Sequence, residues 1–328
     1  MNWKDERVIE QSDSLTKKQS STEAITPDDL SKEFARHAYI SDDSLIAALH
    51  LSDVLGKPLL IEGEAGVGKT EVAKCLSNVL GAQLIRLQCY EGLDAQHAIY
   101  DWDYQRQLLA IQMAGSADPA VLKKTLYSDD FLIKRPLLQA IASDLPVVLL
   151  IDEVDRADEE FEALLLEVLS DFQLSIPELG TYTATKRPRV ILTSNGVREL
   201  SDALRRRCLY HYMDYPDAER ERAIVRARLP EIDRQLTQQL VSLVQTLRAS
   251  SMRKAPGIAE TLDWAASLMQ LEVNDLNSSL DKVEQSLSSL IKTREDLALI
   301  RQEEHGLKHL LAMETNEANK NDQDGVAS

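Results

Sequence analysis

An α/β architecture, with a parallel sheet covered by helices on both faces and an all-helical part after it, is predicted from three observations. Five short apolar runs, at residues 58–61, 84–89, 147–151, 190–193 and 209–213, are mostly separated by helical patterns, and strands alternating with helices argue a parallel sheet. The first run leads through a glycine-rich loop into a helix-like stretch, "LLIEGEAGVGKTEVAKCL". Beyond Asp217 strand patterns vanish and only helical ones remain. A length of 328 residues suits about two domains with a sizeable core.

In chain order, residues 1–33 are polar, rich in Ser, Thr, Asp, Glu and Gln, and lack apolar periodicity, which predicts a flexible arm. From Phe34 an α/β part runs to residue 215. It opens with a helical stretch that Ser41 or Asp42 can cap and Gly56 ends. After the first strand, Gly63, Gly66 and Gly68 let successive N–H groups turn inward, and Glu64, Ala65 and Val67 fill the loop between them. Val72, Ala73, Leu76, Val79 and Leu80 form the apolar stripe of the helix behind it. Loop and helix N-terminus together make an anion cradle. Lys69 is expected to reach the β- and γ-phosphates of a bound triphosphate, and Thr70 to place its hydroxyl on Mg²⁺.

Residues 92–146, including "GLDAQHAIYDWDYQRQLLAI", form an insertion larger than an ordinary crossover. The next strand, in "VVLLIDEVDRADEEFEALLLEVL", delivers Asp152 and Glu153 at its C-terminal end, where parallel sheets bind ligands. Asp152 is placed to hold Mg²⁺ through water and Glu153 to polarise a water against the γ-phosphate. The same acidic pair also suits the start of the following helix. "RVILTSNG" ends in Asn195, which can help orient the attacking water or merely form an Asn-Gly turn. In "SDALRRRCLYHYMDYP", Arg205, Arg206 and Arg207 precede the last strand. They cannot easily fold back to their own nucleotide but could project into a neighbour's site, which requires an oligomer. Residues 216–312 read as a small helical domain. In it, Leu276, Leu280, Val283, Leu287 and Leu290 step by alternate fours and threes for barely two heptads, fitting a packed helix better than a coiled coil. Residues 313–328 have nothing to bury and read as a disordered tail.

Composition narrows the partners. With 54 acidic against 37 basic residues the net charge is −17, which works against a general affinity for nucleic acid. No apolar stretch approaches the roughly eighteen residues of a bilayer span, and the N-terminus is too charged for a signal peptide, so a cytoplasmic location and no membrane partner are expected. Cys75, Cys89 and Cys208 are odd in number and lack Cys-x-x-Cys spacing, which suggests neither a disulfide framework nor a zinc site. "NKND" at 319–322 mimics a guanine-reading motif, but it sits in the polar tail with no strand before it.

The order of these motifs resembles an AAA+ ATPase, and more narrowly the MoxR family. "YEGLDAQHAIYDW", "DEVDRADEEFEALLLEVLSDFQLSIPELGT", "TSNGVRELSDALRRRCLY" and "RKAPGIAETLDWA" are similar to the branch encoded with aerobic carbon monoxide dehydrogenase and related molybdenum hydroxylases. The resemblance implies a P-loop three-layer sandwich with a five-stranded parallel sheet, then a helical lid. It implies ATP and Mg²⁺ as the bound species, with Tyr39 and Ile40 bordering the adenine, the 63–70 loop on the phosphates, Asp152 and Glu153 as the Walker B pair and Asn195 as sensor. Arg206 and Arg207 match the finger region without a choice between them. A hexameric ring, a von Willebrand factor A partner and a metalloenzyme client to be remodelled are implied in the same way. A hairpin within 172–189 is implied too. So is an insert facing the pore or client, where Tyr100, Trp102 and Tyr104 equally suit a core. The family's second-sensor arginine is missing at Ile258 and Ala259, and Arg253 or Lys254 stands as the substitute. The alternative is an AAA+ nucleic-acid motor, which uses the same nucleotide engine.

Overall fold

The computed structural model describes residues 25–115 and 118–301. The first 24 residues of the expected arm and the whole of the expected tail therefore lie outside the described residues. The rest of that arm is not as the polar composition suggested. Helix α1 (Pro27–Arg36) is capped by Thr26, whose hydroxyl accepts from Asp29 N–H, and starts with Pro27 in its first turn. Leu30 and Phe34 lie one turn apart and are both buried. In α2 (Asp43–Leu55) the cap is Asp42 rather than Ser41, accepting from Leu45 N–H at 2.6 Å.

The strands β1 (Leu59–Glu62), β2 (Gln83–Gln88), β5 (Val147–Asp152), β8 (Arg189–Ser194) and β9 (Leu209–Tyr212) form one parallel sheet in the order β2-β5-β8-β1-β9. Side chains on a strand alternate between faces, and in β5 every residue is buried. Leu149 and Ile151 join the core under α7 (Pro136–Ile141) and α8 (Glu159–Asp171), whereas Val148 and Leu150 join the core under α2 and α3 (Lys69–Val79). Those two cores on opposite faces make the three layers. The five-stranded parallel sheet and the helical part after it are as predicted.

The insertion after β2 begins with α4 (Ala95–Ile99) and is tied off by β3 (Tyr100–Trp102) and β4 (Leu132–Lys134), paired antiparallel. Between them α5 (Tyr104–Ala114) and α6 (Pro119–Leu126) extend outward. The three aromatics divide: Trp102 is buried, Tyr100 half-buried and Tyr104 exposed. Strands β6 (Gln173–Ile176) and β7 (Gly180–Thr183) form an antiparallel hairpin, and α9 (Asp202–Arg207) leads into β9.

The helical part comprises α10 (Ala218–Arg228), α11 (Arg234–Ala249), α12 (Ile258–Gln270), α13 (Leu280–Leu290) and α14 (Arg294–Ile300) around a core of its own. Trp264 is fully buried there and donates its indole N–H to Ser286 Oγ at 2.8 Å. Val283, Leu287 and Leu290 of α13 pack into this core with Leu280 partly buried against it, so that part of the heptad-like run is a packed helix, whereas Leu276 enters the same core from the turn before α13. Buried Glu221 of α10 accepts from Arg248 of α11 and Thr261 of α12, tying the three helices with a satisfied charge.

Candidate functional site

The site is built at the C-terminal ends of β1, β5 and β8. The chain leaves β1 through residues 63–68, where a Cβ on Gly63 would stand 2.2 Å from the carbonyl oxygen of Met213 just after β9. Gly66 and Gly68 take the left-handed φ values of 82° and 101° that favour glycine. Gly68 is the N-cap of α3 and brings no side-chain cap bond; Glu71 N–H turns back to Gly68 O, and the N–H groups of Lys69 and Thr70, two residues that line the cleft, are left open among the described residues. The Lys69 amine, buried under the loop, donates to the carbonyls of Gly63 and Glu64, each at 2.7 Å. Burial pushes the Lys69 pKa below its ordinary value, against the opposing pull of Asp155 and Asp152.

One hydroxyl ties the Asp152 carboxylate to the backbone of Glu153 at the exit of β5. Thr193 Oγ1 donates to Asp152 Oδ1 at 2.5 Å and accepts the N–H of Glu153 at 2.9 Å. Thr70 Oγ1 reaches the same Asp152 oxygen at 3.1 Å, and Arg86 of β2 donates to Oδ2 at 2.9 Å from Nε. Glu153 is held at φ 55°, a left-handed conformation that costs a non-glycine residue of order 1–3 kcal/mol and aims its side chain off the strand end. Its carboxylate pairs with Arg156 at 3.0 Å. Buried Asp155 shapes the neighbouring turn, its Oδ2 accepting from Asn195 N–H at 3.2 Å and Val197 N–H at 2.8 Å.

These groups face a cleft of about 320 Å³. Its walls bring together Tyr39, Ile40, Ala65, Gly66, Val67, Gly68, Lys69, Thr70, Asp152, Glu153 and Asn195. Gly63 and Glu64 stand behind the wall and meet it through their carbonyls on Lys69. Tyr39 packs edge-on against Phe34 with ring centroids 5.4 Å apart, and burial raises its pKa. The lid closes the other side with Arg220, Ile224 and Arg228 of α10 and Ile258, Ala259 and Leu262 of α12. Ile258 N–H donates to Gly66 O at 2.9 Å, joining lid to loop directly.

Arg206 and Arg207 are not part of this cleft. Both are exposed at the end of α9, and among the described residues neither has an ion pair or a side-chain hydrogen bond. Arg205 instead turns back to Glu62 at 3.2 Å. Arg253 and Lys254 also lie away from the cleft. Their backbone N–H groups cap onto Asp296, and the exposed Arg253 side chain approaches Glu295 at 3.9 Å, so neither takes the expected sensor position. The lid arginines that do face the cleft are Arg220, bound to Asp42 at 2.6 Å, and Arg228, bound to Glu71 at 2.7 Å. Sequence reasoning missed them, although their spacing of eight with Ile224 between them marks one face of α10. Arg86, Thr193 and Asp155 were missed as well, and only the register of neighbouring strands brings the first two to Asp152.

A hydroxyl and a carboxylate in contact, beside open backbone N–H groups and a buried amine, fit a Mg²⁺-triphosphate. Mg²⁺ is held by few protein oxygens and completes its shell from phosphates and water. Thr70 and Asp152 would hold it. Among the described residues no group of three or more His, Cys, Asp and Glu side chains offers a metal site made of protein alone.

Residues 58–208 match the family model described as AAA domain (dynein-related subfamily). The chain is 25% identical over 244 residues to an uncharacterized protein of Staphylococcus epidermidis, covering 70% of this chain and 86% of that one. It is 26% identical over 203 residues to the gas vesicle ATPase GvpN of Haloferax mediterranei, covering 59% of this chain and 57% of the relative. With GvpN2 of Halobacterium salinarum it shares 25% over 256 residues, 75% of this chain and 72% of the relative. Among solved structures, the Thermotoga maritima RuvB Holliday junction branch migration motor superposes with a TM-score of 0.42 at 17% identity, covering 85% of this chain and 74% of that one. Over residues 58–208, then, the chain carries an AAA-type P-loop ATPase domain.

Proposed function

We propose that the chain is an ATP-driven remodelling chaperone of the MoxR type, acting as a hexameric ring in which each site is completed by the next copy. The observation that supports this is the position of Arg206 and Arg207. They are exposed, unpaired among the described residues and off a cleft that gathers the phosphate loop, both acidic residues and Asn195 on one chain. A cation from outside is what such a cleft would still take up.

In this reading Tyr39 and Ile40 hold the adenine, and the 63–68 loop with Lys69 holds the phosphates. Mg²⁺ on Thr70 and Asp152 would offset the phosphate charge. Glu153 takes a proton from a water that Asn195 orients. The water oxygen bonds to the γ-phosphorus as the bond to the bridging oxygen breaks, releasing ADP and phosphate. A neighbour's arginine offsets the charge that builds on the transferring group. Because α10 and α12 form one wall of the cleft, a change of nucleotide is felt by the whole lid, and this is how hydrolysis would move a bound protein.

The quoted MoxR-like segments support a metalloenzyme client of the molybdenum hydroxylase kind and a von Willebrand factor A partner. The gas vesicle ATPase names of two relatives support the ATPase part of the reading alone. A cytoplasmic setting is part of the proposal, and no described helix is long and apolar enough to cross a membrane.

The test is a double variant, Arg206→Ala with Arg207→Ala. It is expected to bind ATP like the wild type and to lose about 10³-fold or more in turnover. Mixed with Glu153→Gln chains it should regain activity, since some interfaces then pair an intact Glu153 with intact arginines. Wild-type turnover in the double variant, or full activity in a strictly monomeric wild type, would refute the proposal.

A further inference from the structure

The two oxygens of the Asp152 carboxylate have different principal neighbours. Oδ1 takes the hydroxyl of Thr193 at 2.5 Å and is the nearer of the two to the Thr70 hydroxyl, at 3.1 Å against 3.4 Å for Oδ2, and both threonines line the cleft. Oδ2 takes both Arg86 donors, Nε at 2.9 Å and Nη2 at 2.5 Å. The register sets Gln88 of β2 beside Asp152, which places Arg86, two residues earlier on the same face, diagonally across from the carboxylate. Gln88 accepts a further bond from the same guanidinium and fixes its plane. The Asp152 side chain is 4% exposed and Arg86 is its one ion-pair partner among the described residues. Lys69, the other cation close by, has its amine on the loop carbonyls. A buried carboxylate with no cation is costly, and one with a single free torsion can turn its oxygens away from a metal.

We propose that Arg86 is the positioning residue of the Mg²⁺ site: its two donors hold Oδ2 so that Oδ1 stays turned toward Thr70 and the cleft. Arg86 touches neither nucleotide nor metal in this account and acts through Asp152 alone. Outer partners of this kind typically change metal affinity by about 10- to 100-fold.

The inference rests on Thr70 and Asp152 holding Mg²⁺ with the nucleotide, and the experiment separates the two. The full chain is titrated with MgCl₂ in chelator-stripped buffer while the binding of a fluorescent N-methylanthraniloyl-ATP is followed, and metal-free binding and the thermal midpoint are measured alongside. For Arg86→Ala the Mg²⁺ midpoint is expected to rise by about 10- to 100-fold, with metal-free binding within about twofold of wild type. An unchanged Mg²⁺ midpoint overturns the proposal, including the case where only thermal stability and metal-free binding fall, which marks a merely structural residue. If Arg86→Ala does not fold, Arg86→Lys, with the charge but not the planar donor pair, carries the test: a raised midpoint supports the proposal and a wild-type midpoint overturns it. A wild-type chain whose nucleotide binding ignores Mg²⁺ sinks the metal-site reading and this inference with it.

Discussion

Replacing Gly257 by alanine isolates the contact between lid and phosphate loop. Gly257 precedes α12 with φ −84° and ψ −179°, a backbone any residue adopts, so alanine adds no conformational strain. The added Cβ, however, would stand 2.8 Å from Gly66 Cα, 2.9 Å from Gly66 C and 2.9 Å from Glu260 Oε2. Ordinary contacts start near 3.4 Å, so lid and loop must part by more than half an ångström. The Glu260 carboxylate can swing aside only by giving up its 3.1 Å bond to Gly257 N–H, and the backbone of Gly66 has no rotamer to change. Overpacking of this kind costs about 1–3 kcal/mol. Taken as lost coupling between lid and cradle, that is roughly a 5- to 150-fold loss of ATP affinity. Because the clash lies between lid and loop, its relief by parting them should fall chiefly on ATP affinity, with a fall of only a few degrees in the thermal midpoint. The assay is equilibrium binding of a fluorescent ATP analogue, with Gly68→Ala as the contrasting variant: there nothing lies within 4 Å of the added Cβ, but φ 101° makes the residue strained. ATP affinity within twofold of wild type in Gly257→Ala would refute the reasoning.

Glu153→Gln keeps the size of the side chain and the N–H bond to Thr193 while removing the base. It should lower ATP turnover by about 10²- to 10⁴-fold and leave nucleotide binding intact, as read by phosphate release beside a binding curve; wild-type turnover would disprove the role. Burial pushes the thiols of Cys75, Cys89 and Cys208 up to about 12, so the native chain should react only slowly with iodoacetamide at about pH 8, while the denatured chain alkylates all three, a difference that mass spectrometry counts. The fold favours the neutral thiol, so this share of stability is present below about pH 9 and erodes toward pH 12, lowering the urea midpoint; burial of Tyr39 acts in the same sense and burial of Lys69 in the opposite one.

What could be read without coordinates is what the chain encodes locally. The apolar runs show their strands because every residue of a central strand is buried, and Val147–Asp152 is such a run. The loop from Gly63 to Thr70 is one contiguous piece, and the strand-end rule places Asp152, Glu153 and Asn195 at the same edge. Helix α1 escaped because its strongly polar composition hid the one-turn spacing of Leu30 and Phe34, although that spacing and its Thr-Pro start were visible.

Only tertiary structure decided who meets whom. Arg86 and Asp152 are 66 positions apart and meet because β2 pairs with β5 in one register; a shift by a single residue would turn the arginine to the other face. Arg220 and Arg228 reach the cleft, and Arg253 and Lys254 do not, because of how the lid helices pack on one another. Gly257 is needed for its distance to Gly66 and not for its own torsion angles. Local periodicity tells which way a side chain faces relative to its own helix or strand, whereas a contact between distant segments depends on the relative placement of whole elements, which is set by the packing of both cores together.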